Sequence, residues 1–233
     1  MVETGFIAPP WLVLAAIILP FLTAVFLFTL HSFKQEVLNL LLLVSLVIFS
    51  RQLLGWNFAF NRNVNFLYFS LFDTAEFVLL SLLFRIPLRH TPLKSWINYL
   101  LVAFVSVFIT IVMIQPNEKN LAGIQIAEAI LLVLLSIIAL LNQISNQPIF
   151  LFNSYIFWIG GGTLFYYGML LAIEVLIRQG WISINERNQK ELMLFSFGIF
   201  RLLFYLVAAL IRPPKKTEEG WNNFKDSFPE SPR

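Results

Sequence analysis

The chain has 233 residues, 58% of them hydrophobic and only 12% charged, with 25 Phe, 6 Trp and a mean hydropathy of +0.78. Soluble domains carry about 25% charged residues, so this inventory cannot cover a water-exposed globular surface and places the chain among integral membrane proteins. A net charge of +3 and a pI near 9.3 suit an anionic membrane surface, no basic cluster is dense enough for nucleic acid, and the lack of cysteine removes disulfides, thiolate metal sites and cysteine nucleophiles.

Crossing about 30 Å of hydrocarbon takes around 20 apolar residues. Seven such runs are read, at 10–30, 37–57, 65–87, 95–114, 121–142, 149–177 and 191–212. They predict an all-α integral membrane bundle of seven transmembrane helices over 1–212, followed by a polar cytoplasmic tail over 213–233. Met1 to Pro10 carries only Glu3 and lacks the positive start of a cleaved signal peptide, so the first run is expected to be retained. Pro20 inside it reads as a tolerated kink.

The breaks carry turn and cap chemistry. Ser32 with Gln35 can form a capping box before the second run. Thr91-Pro92 offers an N-cap and a first-turn proline to the fourth. Gln115 to Asn120 and Asn142 to Gln147 are short polar turns. The sixth run holds Gly160-Gly161-Gly162, then Thr163 and Gly168, and each helical glycine costs about 1 kcal/mol relative to alanine. One reading is a hinge, a broken helix whose backbone faces a substrate. The other is close packing of helices on small residues. After Pro213-Pro214 and Lys215-Lys216, the tail places Trp221, Phe224 and Phe228 at the spacing of one helical face.

Orientation follows from Lys and Arg in the connections. With the N-terminus outside, the inner side holds Lys34, Arg85, Arg89, Lys94, Arg212, Lys215, Lys216, Lys225 and Arg233. The outer side holds Arg51, Arg62, Lys119, Arg178, Arg187 and Lys190. The excess inside favours an outer N-terminus, a cytoplasmic C-terminus and the cell membrane.

Five ionisable residues fall within the spans: Asp73, Glu76, Glu128, Glu174 and Arg201. A charge at mid-bilayer costs about 2.5–3.5 kcal/mol on insertion scales, so each needs a reason. At 1.5 Å per residue, Asp73, Glu76, Glu128 and Arg201 lie about 10–15 Å below one surface, with Glu174 and Arg51 shallower on the same side. Gln125 stands one turn before Glu128, Tyr167 shares the stripe of Thr163 and Glu174, and Tyr205 follows Arg201 by one turn. A ligand- or ion-binding set of Asp73, Glu76, Gln125, Glu128, Tyr167, Glu174, Arg201 and Tyr205 is therefore expected in a hydrated pocket between helices three, five, six and seven. Arg201 can bind one carboxylate bidentately, which leaves at least one acid to share a proton, titrate or hold a cation. The plainer alternative is a strut of Arg201 with one acid, Glu174 reaching water.

No catalytic set is complete. His31 and His90 and all lysines lie outside the spans, so intramembrane haem, histidine metal ligation and a retinal Schiff base have no residue to carry them. No HExxH, GxSxG or phosphate-binding loop is present. No cofactor is expected, and no metal-ligand set is identified.

Three stretches carry a resemblance: Phe66-Leu-Tyr-Phe-Ser-Leu-Phe-Asp-Thr-Ala-Glu-Phe, Trp158-Ile-Gly-Gly-Gly-Thr-Leu-Phe-Tyr-Tyr-Gly and Phe200-Arg-Leu-Leu-Phe-Tyr-Leu-Val-Ala-Ala-Leu. Together they resemble a loosely defined group of bacterial seven-helix membrane proteins common in Bacteroidetes-type genomes. That group carries a glutamate where Glu76 stands and a tyrosine near Tyr166, but often a polar uncharged residue in place of Arg201. The resemblance implies a sensory or signalling role.

The leading expectation is a sensor- or receptor-like protein. The alternatives are a small proton- or cation-coupled transporter and a structural subunit of a membrane complex. Expected partners are the lipid bilayer, a small ligand, proton or cation, and a membrane or cytoplasmic protein met through the C-terminal tail.

Overall fold

The computed structural model describes residues 9–30, 35–57, 62–114, 118–146, 152–180 and 187–211, and no strand occurs among them. Seven helices account for nearly all of these: α1 Pro10–Leu30, α2 Glu36–Asn57, α3 Arg62–Arg85, α4 Leu93–Ile114, α5 Glu118–Asn146, α6 Tyr155–Arg178 and α7 Arg187–Leu210. Each contains a run of 19 to 26 residues with mean hydropathy between 1.6 and 2.6, enough by length and composition to cross a membrane. The chain is a multi-pass, seven-helix bundle. Residues 213–233, with Trp221, Phe224 and Phe228, and the capping residue Ser32 lie outside the described residues.

Local chemistry moves two expected boundaries. The sixth helix starts at Tyr155 rather than 149, because Ser154 is extended (φ −97°, ψ 125°). Thr91 does not cap α4 as expected. Its hydroxyl turns back to donate to the Leu88 carbonyl at 2.8 Å, closing the tight turn between α3 and α4. Pro20 is accommodated, and α1 runs on through it to Leu30.

The helices are not arranged in simple chain order. α1 packs on α2 and α7, α2 on α3, α3 on α5, α5 on α6, and α6 on α7. This closes a ring of six, with α4 outside it against α3 and α5. Only Ile97, Leu101 and Phe108 of α4 are buried, while Trp96, Tyr99, Val102 and Met113 face outward. Phe104 holds α4 to the ring by stacking on Phe77 of α3 at 4.2 Å between centroids. Towards its other end α4 stands off α5, leaving an apolar groove of about 560 Å³ beside Gly123 and Ala127.

One half of the ring is a continuous apolar core. Leu38 and Leu41 of α2, Leu83 and Phe84 of α3, Leu135 and Ala139 of α5, Ile156 and Ile159 of α6, and Ala208 and Ala209 of α7 are all buried there. Two hydroxyls beside this core are closed on their own helices, Ser45 donating to Leu41 and Ser136 to Leu132, while the buried Ser81 hydroxyl has no hydrogen-bond partner.

The expected hinge at Gly160, Gly161 and Gly162 is not a break, since α6 is continuous through all three. The glycines permit close contact instead. A Cβ on Gly160 would meet Leu140 of α5 at 3.1 Å, and one on Gly162 would sit 2.7 Å from Phe204 Cβ and 3.3 Å from the Arg201 carbonyl oxygen. Without water to drive association, helices in lipid gain from this intimate packing, which small residues allow. Gly168 has open space where a Cβ would go. Thermal unfolding in detergent should therefore separate the two positions. Gly162→Ala is expected to destabilise by about 1–3 kcal/mol through overpacking. Gly168→Ala is expected to stabilise by up to about 1 kcal/mol through helix propensity.

Candidate functional site

Every helix of the ring except α1 contributes a polar side chain to the other half. Depth is set by helix direction. α3 and α7 cross in the same sense, and Glu76 and Arg201 each stand 14 residues beyond the first residue of their helix. The two therefore meet at one level, about 21 Å along at 1.5 Å per residue. α2 and α6 cross in the opposite sense and bring Arg51 and Tyr167 to the same half from their C-terminal ends.

Two linked ion pairs form there. Arg201 Nη1 binds Glu76 Oε1 directly, and both side chains are almost fully buried, at 4% and 1% exposure. Tyr167 donates its hydroxyl to the same Glu76 oxygen at 3.1 Å. The Arg201 guanidinium lies over the Tyr166 ring at 4.2 Å, with the Tyr167 and Tyr205 rings at 5.6 and 5.8 Å. Three aromatic faces thus shield a cation that has only one carboxylate bonded to it. One turn deeper on α6 and α7, Thr163 and Tyr205 share a hydrogen bond of 2.8 Å.

The second pair lies nearer the surface. Arg51 Nη2 of α2 meets Asp73 Oδ1 at 2.9 Å, and Gln125 of α5 donates to Asp73 Oδ2 at 3.0 Å. Arg51 also lies over the Phe69 ring at 5.7 Å. This pair is less buried, with side chains 24% and 13% exposed. Since Asp73 and Glu76 are three residues apart on one face of α3, the two pairs are stacked on neighbouring turns.

Glu128 completes the set and differs from the other acids. It is 2% exposed, and its Oε1 has no hydrogen-bond partner. Asp73 and Glu76 of α3, Arg51 of α2, Arg201 of α7 and Tyr167 of α6 are all close enough for their charges or dipoles to act on it. Arg201 Nε is likewise buried without a partner.

The structure thus brings together Asp73, Glu76, Gln125, Tyr167 and Arg201, with Tyr205 and Glu128 beside them. The expected set of helices three, five, six and seven extends to α2, because Arg51, a possible second arginine of the cluster, pairs with Asp73. Its groups are joined by direct bonds. Glu174 stands two turns beyond Tyr167, half-buried near the C-terminal end of α6. Tyr166 and Thr163 were not singled out as site residues, although the aromatic pair Tyr166-Tyr167 beside an intramembrane arginine is the signal that marks them. Among the described residues, no three His, Asp or Glu side chains gather as metal ligands would.

The chain matches no family model, no curated protein and no solved structure. The site itself therefore has to carry the functional reading.

Removing one partner of a buried ion pair strands the other charge, at a cost of about 3–5 kcal/mol. Glu76→Gln and Arg201→Met are each expected to lose stability on that scale in equilibrium unfolding. The double variant should lose less than the sum of the two, because neither charge is left alone. Arg51→Gln, at a partly exposed pair, should cost about 1 kcal/mol or less.

Proposed function

We propose that the chain is a sensor- or receptor-like membrane protein. Its input is a small ligand, ion or proton at the Arg51–Asp73 and Glu76–Arg201 network, and its output is a change of helix packing at the opposite end. The N-terminus and the network half face outside in this reading.

The observation that carries it is the way α3 and α5 join the two ends. At one end these helices supply Asp73, Glu76, Gln125 and Glu128. At the other end Arg85 of α3 donates to Asn98 of α4 at 2.9 Å, and Asn142 of α5 donates to the Pro87 carbonyl at 3.1 Å. The basic turn 86–92, with exposed Arg89 and His90, is held by the same two helices that hold the network. From Gln125 to Asn142 is about 25 Å of rigid helix. A shift of α3 against α5 at the network must therefore displace the turn.

The apolar half weighs against the transporter alternative. Alternating access requires a polar route to each side in turn, and the core around Leu41, Phe84, Leu135 and Ile159 holds only scattered hydroxyls, Ser45, Ser81, Ser136 and Thr163, and no charged side chain to build one. A conformational signal can cross such a core, whereas a hydrated ion cannot do so without disrupting it.

The absence of native cysteine makes a single reporter unambiguous. Arg89→Cys in oriented proteoliposomes can be labelled by a membrane-impermeant thiol reagent. Adding Glu76→Gln to this background is expected to change the labelling rate several-fold, although Arg89 stands beyond the C-terminal end of α3, 13 residues after Glu76. Unchanged labelling, together with proton or sodium flux through the wild-type protein, would overturn the sensor reading in favour of transport.

A further inference from the structure

Resting on that reading, we infer that the input is a proton carried by Glu128, and that Arg201 takes Glu128 as a second carboxylate partner beside Glu76 when the proton leaves. In the packing described, Arg201 holds Glu76; with Glu128 ionised, Arg201 turns its free Nε edge to Glu128 and draws α5 towards α7.

The charge count in the network leads to this. Two guanidiniums, Arg51 and Arg201, face three carboxyl groups, Asp73, Glu76 and Glu128. Two pairs are made and one acid remains. A carboxylate taken out of water without a partner is among the least favourable groups a core can hold, and it neutralises rather than stay charged. With a proton on Glu128 the five groups sum to zero. Without it they carry one uncompensated negative charge at a depth where lipid cannot answer it.

A proton suits the position better than a metal ion. Hard cations gather about six or more oxygen ligands. Around Glu128 the other carboxylate oxygens are committed: Asp73 to Arg51 and Gln125, Glu76 to Arg201 and Tyr167. A proton asks for one oxygen only.

The second state is marked by two complementary orphans. Arg201 Nε is a buried donor without an acceptor, and Glu128 Oε1 is a buried acceptor without a donor. Each unmade bond costs about 1–3 kcal/mol. Guanidinium presents its Nε–H and Nη–H groups in a fixed fork, so Arg201 can offer one edge to Glu76 and the other to a second carboxylate. The charged and titratable groups near enough for their charges to act on Glu128 are Asp73 and Glu76 from α3, Arg51 from α2, Arg201 from α7 and Tyr167 from α6. Arg51 is already held by Asp73, which leaves Arg201 as the cation with a free donor. In this reading the released proton leaves by the Arg51–Asp73 end, the less buried part of the network.

Two measurements on the full chain in nanodiscs test this. Infrared difference spectra between pH 5 and pH 9 report the carbonyl stretch of protonated carboxylic acids. The wild type is expected to lose one such band as pH rises, and Glu128→Gln to lack it. Spin labels on Ile130→Cys of α5 and Leu203→Cys of α7, both exposed to lipid, report the helix separation. This distance should shorten as pH rises in the wild type and stay constant in Glu128→Gln. Arg201→Lys keeps the charge but lacks the Nε edge, so it should retain the titrating band and lose the shortening. It also decides the matter if Glu128→Gln does not fold.

Identical spectra for the wild type and Glu128→Gln would overturn the proton site. A titrating band with a constant distance would overturn the second Arg201 contact. A distance that follows sodium at fixed pH would replace the proton with a metal cation and overturn the inference as stated. Failure here with the Arg89 labelling effect intact removes the proton and leaves the sensor, whereas loss of both removes the site.

Discussion

A guanidinium that cannot shed its charge sits near the middle of this bundle, and much of the architecture answers it. Arginine remains protonated in any environment a protein offers. Once Arg201 is placed within α7, a carboxylate must come to the same depth, its remaining faces must be covered by something better than lipid, and the helices must approach closely enough to do both. Glu76 supplies the first, from the same distance along a helix crossing in the same sense. Tyr166, Tyr167 and Tyr205 supply the second. The glycines of α6 supply the third, because the Arg201 backbone lies where a side chain on Gly162 would begin.

The ring follows from the same constraint. In lipid, polar groups can be satisfied only inside the bundle. The helices that carry intramembrane charges or their partners, α2, α3, α5, α6 and α7, turn one face to a common centre, and α1 closes the gap between α2 and α7. α4 carries no such group to the centre. Its Ser106 and Thr110 are exposed, and the Thr110 hydroxyl is answered by the Ser106 carbonyl of its own helix. It is therefore free to sit outside, held by aromatic stacking and a few aliphatic contacts. Polar content, more than chain order, sorts the helices into ring and periphery.

That logic explains what could be read from the sequence. Length and hydropathy were enough to locate seven spans, because the bilayer imposes a thickness that composition must match. The common depth of Asp73, Glu76, Glu128 and Arg201 was legible, since it needs only helix rise and alternating direction. The pairing was not. Asp73 and Glu76 lie on one face, so the sequence offers Arg201 two equivalent acids, and only the rotation of each helix decides between them. The partner of Arg51 was open for the same reason: near a helix end, an arginine that snorkels and one that turns inward look alike. The glycine run was ambiguous because a broken helix and a tight interface ask for the same residue. The place of Phe204 and Leu140 against it resolves the ambiguity.

Buried ion pairs are poor sources of stability, since desolvation offsets most of the attraction. What the network adds is dependence. Both pairs hang on one turn of α3, one reaching back to α2 and the other across to α7, with Gln125 tying α5 to the first. A rotation of α3 that improves one pair disturbs the other, so the helix has few positions in which both are made. The opposite half carries no ion pair and so lacks this restriction. In the proposed reading, a change in charge at the network reaches that half as a movement along α3.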